Sequence, residues 1–275
     1  MSIDFAKLSA NGNDFVAMDN REGQVPLERP GLVAWLCDRR RGVGADGLLL
    51  VEHAQDADFR MRIFNPDGSE ADMCGNGARA CAEYAATLGI GGQELTFQTR
   101  AGLQRVRRQQ GQSTLWIGSI VEDPGHLQRL EADARLVASI QPARLLGFLR
   151  VGVPHCVLAV NDLGTFPIER IGPAVRHHPS FDPEGSNVIF VQRLDSGHVR
   201  VRAWEKGVEG ETEGCGTGCI AACVLLARAG VVQSPIDASM AGGVMRVGED
   251  ERGWHFSGEV HRAFEGRLDL PGSLG

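Results

Sequence analysis

Two cysteines, Cys74 and Cys215, stand in the same unusual setting. Each opens a Cys-Gly-X-Gly string that runs into a stretch rich in good helix formers and then a glycine, Gly89 or Gly230. Laid over each other at an offset of 141 residues (215 less 74), the stretches 70–89 and 211–230 match at several positions. Glu70 meets Glu211, Cys74 meets Cys215, Gly75 meets Gly216, Gly77 meets Gly218 and Ala80 meets Ala221. Each cysteine is therefore expected at the N-terminus of a helix, where unpaired amides and a positive macrodipole favour an anion. A thiolate there should have its pKa lowered from the free value of about 8.5. The same amides can dock a carboxylate. Two such ends facing each other would hold one carboxylate between two reactive thiols.

Cysteine chemistry has several outlets. Zinc is poorly served, because Cys215, Cys219 and Cys223 fall at helical i, i+4, i+8 spacing rather than as loop pairs. A thiol phosphatase fits badly too, since Cys74 and Arg79 enclose four residues where that loop needs five. A Cys/His hydrolase could pair either cysteine with His155 but has no use for two equivalent thiols. Inversion of a stereocentre does need two: one base removes hydrogen from one face while an acid delivers it to the other. No lysine is placed convincingly for a pyridoxal phosphate Schiff base. Helix-end amides acting on the substrate carboxylate would stabilise the carbanion instead. Cys37, Cys81, Cys156, Cys219 and Cys223 read as small buried hydrophobes.

The elements that must carry these residues are predicted as follows. Residues 3–20 form a hairpin about the turn at 10–14, and a helix over 31–41 ends in Arg39, Arg40 and Arg41, a basic triplet suited to a solvated helix C-terminus. The glycine-rich loop 42–47 feeds a strand at 48–52; no Lys-Ser/Thr follows, so it is not a phosphate loop. Strands at 59–64, 94–99, 103–108 and 113–118 flank the first Cys-Gly helix. Asp123-Pro124-Gly125 breaks the pattern and marks a junction. A loop at 152–155 then leads into a strand at 156–160, echoing 12–18 about 140 residues earlier. A helix at 167–176, strands at 187–193 and 198–204, the second Cys-Gly helix, strands at 237–240, 244–248 and 253–257, and a tail at 259–270 complete the chain.

A repeat this long is a duplicated domain, not a solenoid. The expected fold is α+β: two pseudo-symmetric lobes, residues 1–121 with 259–275 and residues 122–258, each a mostly antiparallel sheet wrapped around a central helix.

The composition, 43% hydrophobic and 23% charged, is that of a soluble globular protein. A net charge of −7 argues against nucleic acid or an anionic membrane as partner. No secretion signal or membrane span is read, and seven cysteines, an odd number, point to reduced thiols and a cytoplasmic setting.

At this point the residues resemble a family. Gly12-Asn13-Asp14-Phe15, the run 62–70 around Asn65, Met73-Cys74-Gly75-Asn76-Gly77-Ala78-Arg79, Pro154-His155 and the run 207–218 come in the order seen in diaminopimelate epimerases. Asn76 separates this branch from the related proline racemases, which have His there. The resemblance implies a cofactor-free epimerase converting LL- to meso-diaminopimelate, in lysine and peptidoglycan precursor synthesis. It implies that Cys74 and Cys215 are the two bases, that Gly75 and Asn76 with Gly216 and Thr217 hold the reacting carboxylate, and that Asn13, Asn65 and Asn187 bind substrate. His155 and Glu205 match polar groups beside the thiols, and Phe264 falls where the family packs a homodimer. Three positions depart from the pattern: Val153 stands for an Asn, Lys206 for an Arg that grips the far amino-acid end, and Gly47 for a Gln of some members. Lys cannot make the two-pronged contact of Arg. A racemase of another amino acid, such as histidine, is the first alternative, and a thiol redox or metal-binding protein without turnover the second. Oxidation of the two thiols to an inactive disulfide is a further expectation.

Overall fold

A computed structural model of the chain describes residues 2–109 and 111–271. It divides into two compact units, residues 1–116 with 257–275 and residues 117–256.

The first unit begins with β1 (Ser2–Ala10) and β2 (Asn13–Asp19), followed by α1 (Leu32–Cys37), β3 (Gly47–Glu52), β4 (Phe59–Phe64) and β5 (Glu70–Ala71). Then come α2 (Gly75–Thr87), β6 (Glu94–Thr99), β7 (Gly102–Gln109) and β8 (Gln112–Trp116). β1 and β2 are antiparallel and joined by Asn11-Gly12, with φ of 47° and 87°. An Asn-Gly pair is the favoured filling of so tight a hairpin because both central residues need positive φ. β2 runs parallel to β3, β3 antiparallel to β4, β4 parallel to β6, and β6 antiparallel to β7. α2 packs on β1, β2, β3, β4, β7 and β8. Its inner residues are small, with Ala78, Ala80, Cys81, Ala82 and Ala85 all fully buried, so the strands close tightly around it.

The second unit contains β9 (Val121–Glu122), α3 (Pro124–Ala132), α4 (Ala134–Ser139), β10 (Arg144–Val151), β11 (Val153–Ala159) and α5 (Ile168–Arg176). It continues with β12 (Asn187–Arg193), β13 (His198–Glu205), β14 (Gly210–Thr212), α6 (Gly216–Arg228), β15 (Ile236–Met240) and β16 (Gly243–Asp250). Its pairing repeats that of the first: β10 antiparallel to β11, β11 parallel to β12, β12 antiparallel to β13, β13 parallel to β15, β15 antiparallel to β16. α6 packs on β10, β11, β12, β13, β15 and β16. Being enclosed, it is apolar all round: Ile220, Val224 and Leu226 are buried, each contributing roughly 1.5–3 kcal/mol. The duplicated α+β fold expected from the 141-residue repeat is the fold observed. β17 (Gly253–Asp269) crosses the boundary, and its later part pairs antiparallel with β1.

Four local expectations need correction. The helix over 31–41 stops at Cys37, because Asp38 turns extended, so the arginines that follow are not a helix end. Arg39 forks onto Asp14 at 2.7 Å and reaches Asp46 at 2.9 Å, and Arg41 pairs with Asp38. Asp123-Pro124-Gly125 is not a break but the start of α3, with Asp123 accepting from the His126 amide at 2.8 Å and Pro at the first turn. Asp-Pro suits a turn and a helix start equally. His155 lies within strand β11 rather than in a loop, and the tail is the continuation of β17. Among the described residues no helix is long and apolar enough to cross a membrane.

Candidate active site

Cys74 is the N-cap of α2 and Cys215 the N-cap of α6, both with extended backbone. Gly89 and Gly230, at φ 76° and 68°, follow the two C-caps as a left-handed helix stop requires. The Cys74 sulfur, partly exposed, accepts from the Gly77 amide at 3.5 Å. Asn76 is buried in the first turn, and its Nδ2 donates to Asn13 Oδ1 at 2.6 Å. Asn13, the first residue of β2, is steadied from outside, where Asp46 Oδ2 accepts from the Asp14 amide at 3.2 Å and lies 3.4 Å from Asn13 Nδ2. Lys7 and Arg39 clamp Asp14 and hold its carboxyl far below the carboxylate range despite partial burial.

Cys215 is 3% exposed. Beside it lies Glu205, the last residue of β13, whose carboxylate accepts from the Thr212 hydroxyl and is hydrogen-bonded with the Cys215 thiol. Burial raises the Glu205 pKa, and those two bonds only partly offset it. Cys215 is driven well above a normal thiol, first by burial and then by the Glu205 charge, with the Gly218 amide and Thr217 hydroxyl pulling the other way. The sequence expectation of a lowered pKa at both helix mouths fails at this one. The first turn of a helix contributes about 0.3–1 kcal/mol, which desolvation exceeds here.

His155 and Asn187 are register partners on the parallel strands β11 and β12. Asn187 Oδ1 accepts from the Lys206 amide at 2.8 Å, which turns its Nδ2 toward His155 Nδ1, 3.5 Å away. Full burial pulls His155 down to about 4, so at neutral pH it is an uncharged hydrogen-bonding group.

Gly75 and Asn76 thus follow Cys74 in the first turn of α2, with Asn13 bonded to Asn76, while Glu205 and Thr217 contact Cys215 at the mouth of α6 and His155, Asn187 and the Lys206 amide contact one another in the same unit. Asn65 is exposed on the turn after β4, where it bonds Ser69 at 3.0 Å rather than the Asn13–Asn76 pair. Of the departures, Val153 is 43% exposed on β11. Lys206 is exposed near Glu184, whose carboxylate is lowered mainly by Arg150 and also by Lys206. Gly47 sits where a Cβ would come within 2.9 Å of the Phe64 carbonyl. Arg79 and Asn11, absent from the predicted set, prove to be part of the Cys74 side. The signal is a lone arginine inside an alanine-rich helix.

A family model described as diaminopimelate epimerase matches residues 5–121 and 147–259. A protein of Moorella thermoacetica named diaminopimelate epimerase is 39% identical over 257 residues, covering 88% of this chain and 90% of its own. One of Alkalilimnicola ehrlichii, named likewise, is 39% identical over 284 residues, covering 98% of this chain and all of its own. Among solved structures, a Bacillus anthracis phenazine biosynthesis protein of the PhzF family aligns with a TM-score of 0.72 at 17% identity, over 98% of this chain and 100% of that one. A hydroxyproline epimerase from Agrobacterium vitis aligns with a TM-score of 0.65 at 17% identity, over 97% and 92%. At such identities the structural likeness speaks for the fold.

Proposed function

The chain belongs to the diaminopimelate epimerase family, and from that premise we propose that this isomerase converts LL- to meso-diaminopimelate by exchanging protons between two thiols, Cys74 and Cys215. A thiolate takes the α-hydrogen as a proton, the electron pair of the broken C–H bond stays on the α-carbon, and the other thiol protonates the opposite face. The thiol and thiolate have then exchanged places, which suits a reaction that runs both ways. The observation that carries this reading is that each cysteine caps the helix enclosed by its own copy of a duplicated fold. Amides of Gly75, Asn76, Gly216 and Thr217 receive the substrate carboxylate, an arrangement worth several kcal/mol when charge builds up on it. Asn13, Asn65 and Asn187 bind the remaining polar groups, and neutral His155 and the Glu205 carboxyl order the second thiol. The reaction is cofactor-free and belongs in lysine and peptidoglycan precursor synthesis in the cytoplasm. Lys206, exposed and lacking the fork of Arg, meets the far end of the substrate as a point charge. The protein acts as a homodimer through Phe264, which is 50% exposed on β17 with its ring edge-on to Phe5. Sedimentation of a Phe264→Glu variant as a monomer is the expected outcome for that contact.

Incubation with diaminopimelate in deuterium oxide tests the reaction. Deuterium should enter the α-carbon together with a change of configuration, faster than with histidine or proline. Exchange on another amino acid, with none on diaminopimelate, would reject the substrate.

A further inference from the structure

Arg79 is completely buried, one helical turn beyond Cys74 on α2. Its Nη2 donates to two side-chain oxygens at once, Asn11 Oδ1 at 2.5 Å and Asn76 Oδ1 at 2.8 Å. A guanidinium only donates, so both amides must turn their oxygens inward. Asn76 then has only its NH2 to offer Asn13, and it does so at 2.6 Å, which consumes the Asn13 oxygen in turn. One cation thereby orients Asn11 and Asn76 directly and Asn13 through Asn76, with each amide's NH2 turned away from the cation and that of Asn13 facing Asp46 Oδ2 at 3.4 Å. That is the orientation a bound carboxylate requires. The fold makes room for the arrangement. A Cβ on Gly258 would fall 2.4 Å from Asn11 Oδ1 and 2.9 Å from Arg79 Nη1, and Asn11 takes the left-handed conformation of the β1–β2 turn that carries it there.

We infer that Arg79 is a positioning residue for the epimerisation: its buried guanidinium sets the donor-outward orientation of Asn11, Asn76 and Asn13 and favours the thiolate of Cys74. This rests on the assignment of Cys74, Asn76 and Asn13 to the active site. The charge is present to do it: burial lowers the Arg79 pKa only to about 10, and attraction to Cys74 opposes even that shift. At the matching position of the second copy, 141 residues on, stands Ile220, fully buried and uncharged. The cation therefore belongs to one helix mouth alone.

The test is the pH profile of Cys74 alkylation by iodoacetamide, read by peptide mass spectrometry without substrate, beside KM and kcat for diaminopimelate. In the unaltered protein Cys74 should be half-alkylated below pH ~8.5, the value of a free cysteine. Arg79→Met should slow Cys74 alkylation at pH 7 about tenfold, the equivalent of one pKa unit. It should also raise KM about tenfold, as the loss of a charge-assisted hydrogen bond does. Arg79→Lys should restore the alkylation profile but leave KM high, since the lysine stem is one atom shorter and does not carry its nitrogen to the place where Nη2 meets both amides. A half-point at or above that of free cysteine in the unaltered protein overturns the inference even if both variants fail to fold. So does an Arg79→Met protein with unchanged profile and KM. Should the alkylation results come out as expected while no amino acid takes up deuterium, the role of Arg79 at Cys74 stands and the proposed reaction falls.

Discussion

The two helix mouths share a sequence string, a backbone and a place in the fold, yet their electrostatics are opposed. Cys74 is partly exposed, capped by an amide, with a buried cation one turn behind it. Cys215 is buried, with a carboxyl group bonded to it and an isoleucine where the cation would be. The second mouth favours the thiol, and the inferred role of Arg79 makes the first the place of the thiolate. A reaction that removes a proton with one sulfur and returns another from the second must start from one of each. The helix termini alone could not provide that, since they act alike on both. The duplication gives each sulfur the same helix mouth, and the neighbours of the two mouths differ.

Removing either sulfur should break the comparison at its root. Cys74→Ser and Cys215→Ser should each lower epimerisation by about 10²–10⁴-fold, the range for loss of a general acid or base. Circular dichroism at the substrate band measures it, and full activity in either variant would end the two-base assignment. A smaller effect sharpens the packing contrast between the mouths. A Cβ on Gly218 would meet Ile189 Cδ1 at 2.3 Å and Cys215 Sγ at 2.9 Å, whereas one on Gly77 would meet Ile63 Cδ1 at 3.0 Å and Leu49 Cδ2 at 3.3 Å. Gly218→Ala should therefore cost about 1–3 kcal/mol in denaturant unfolding, as overpacking does, and Gly77→Ala clearly less. Equal losses would show that the second mouth is no more tightly built than the first.

Much of this was readable from the chain because duplication exposes itself in sequence. The pairing of cysteines, the glycine helix stops and the enclosed helices all follow from local strings and one offset, whereas the residues expected beside each thiol follow from the family resemblance. What escaped depended on long-range neighbours. Nothing local shows that Glu205, ten residues before Cys215, returns through the β13–β14 hairpin to raise that thiol against its helix dipole. The reach of Arg79 to the β1–β2 turn is equally non-local, as is the tie of Arg39 to Asp14 and Asp46. Where two structures share a signal, as turn and helix start do at Asp123-Pro124, the sequence offers no arbiter.

Glu205→Gln should narrow the difference between the mouths. With the neighbouring charge gone, Cys215 loses one of the three causes that raise it, burial, Glu205 and Cys219, and its alkylation at pH 8 should become severalfold faster while that of Cys74 is unchanged. A Cys215 that alkylates no faster would mean burial alone holds it protonated.

The smallest effect concerns stability and has a definite sign. The folded-state pKa of Glu205 lies above its unfolded value because burial disfavours the carboxylate. Between the two values the folded chain holds more protons than the unfolded one, so stability falls as pH rises through that window and is level beyond it. This is the reverse of an ion-paired carboxylate such as Asp14, whose lowered pKa contributes stability that is lost as acid titrates it. Glu205→Gln removes the charge and keeps an acceptor for the Thr212 hydroxyl. Below the ordinary glutamate range the variant and the unaltered protein should unfold alike. As pH rises from there the variant should become the more stable, and the gap should stop widening once the folded-state carboxyl is fully ionised. Thermal unfolding at a series of pH values measures it. A gap of the opposite sign would show that the ionised carboxylate is held by its surroundings more strongly than burial penalises it.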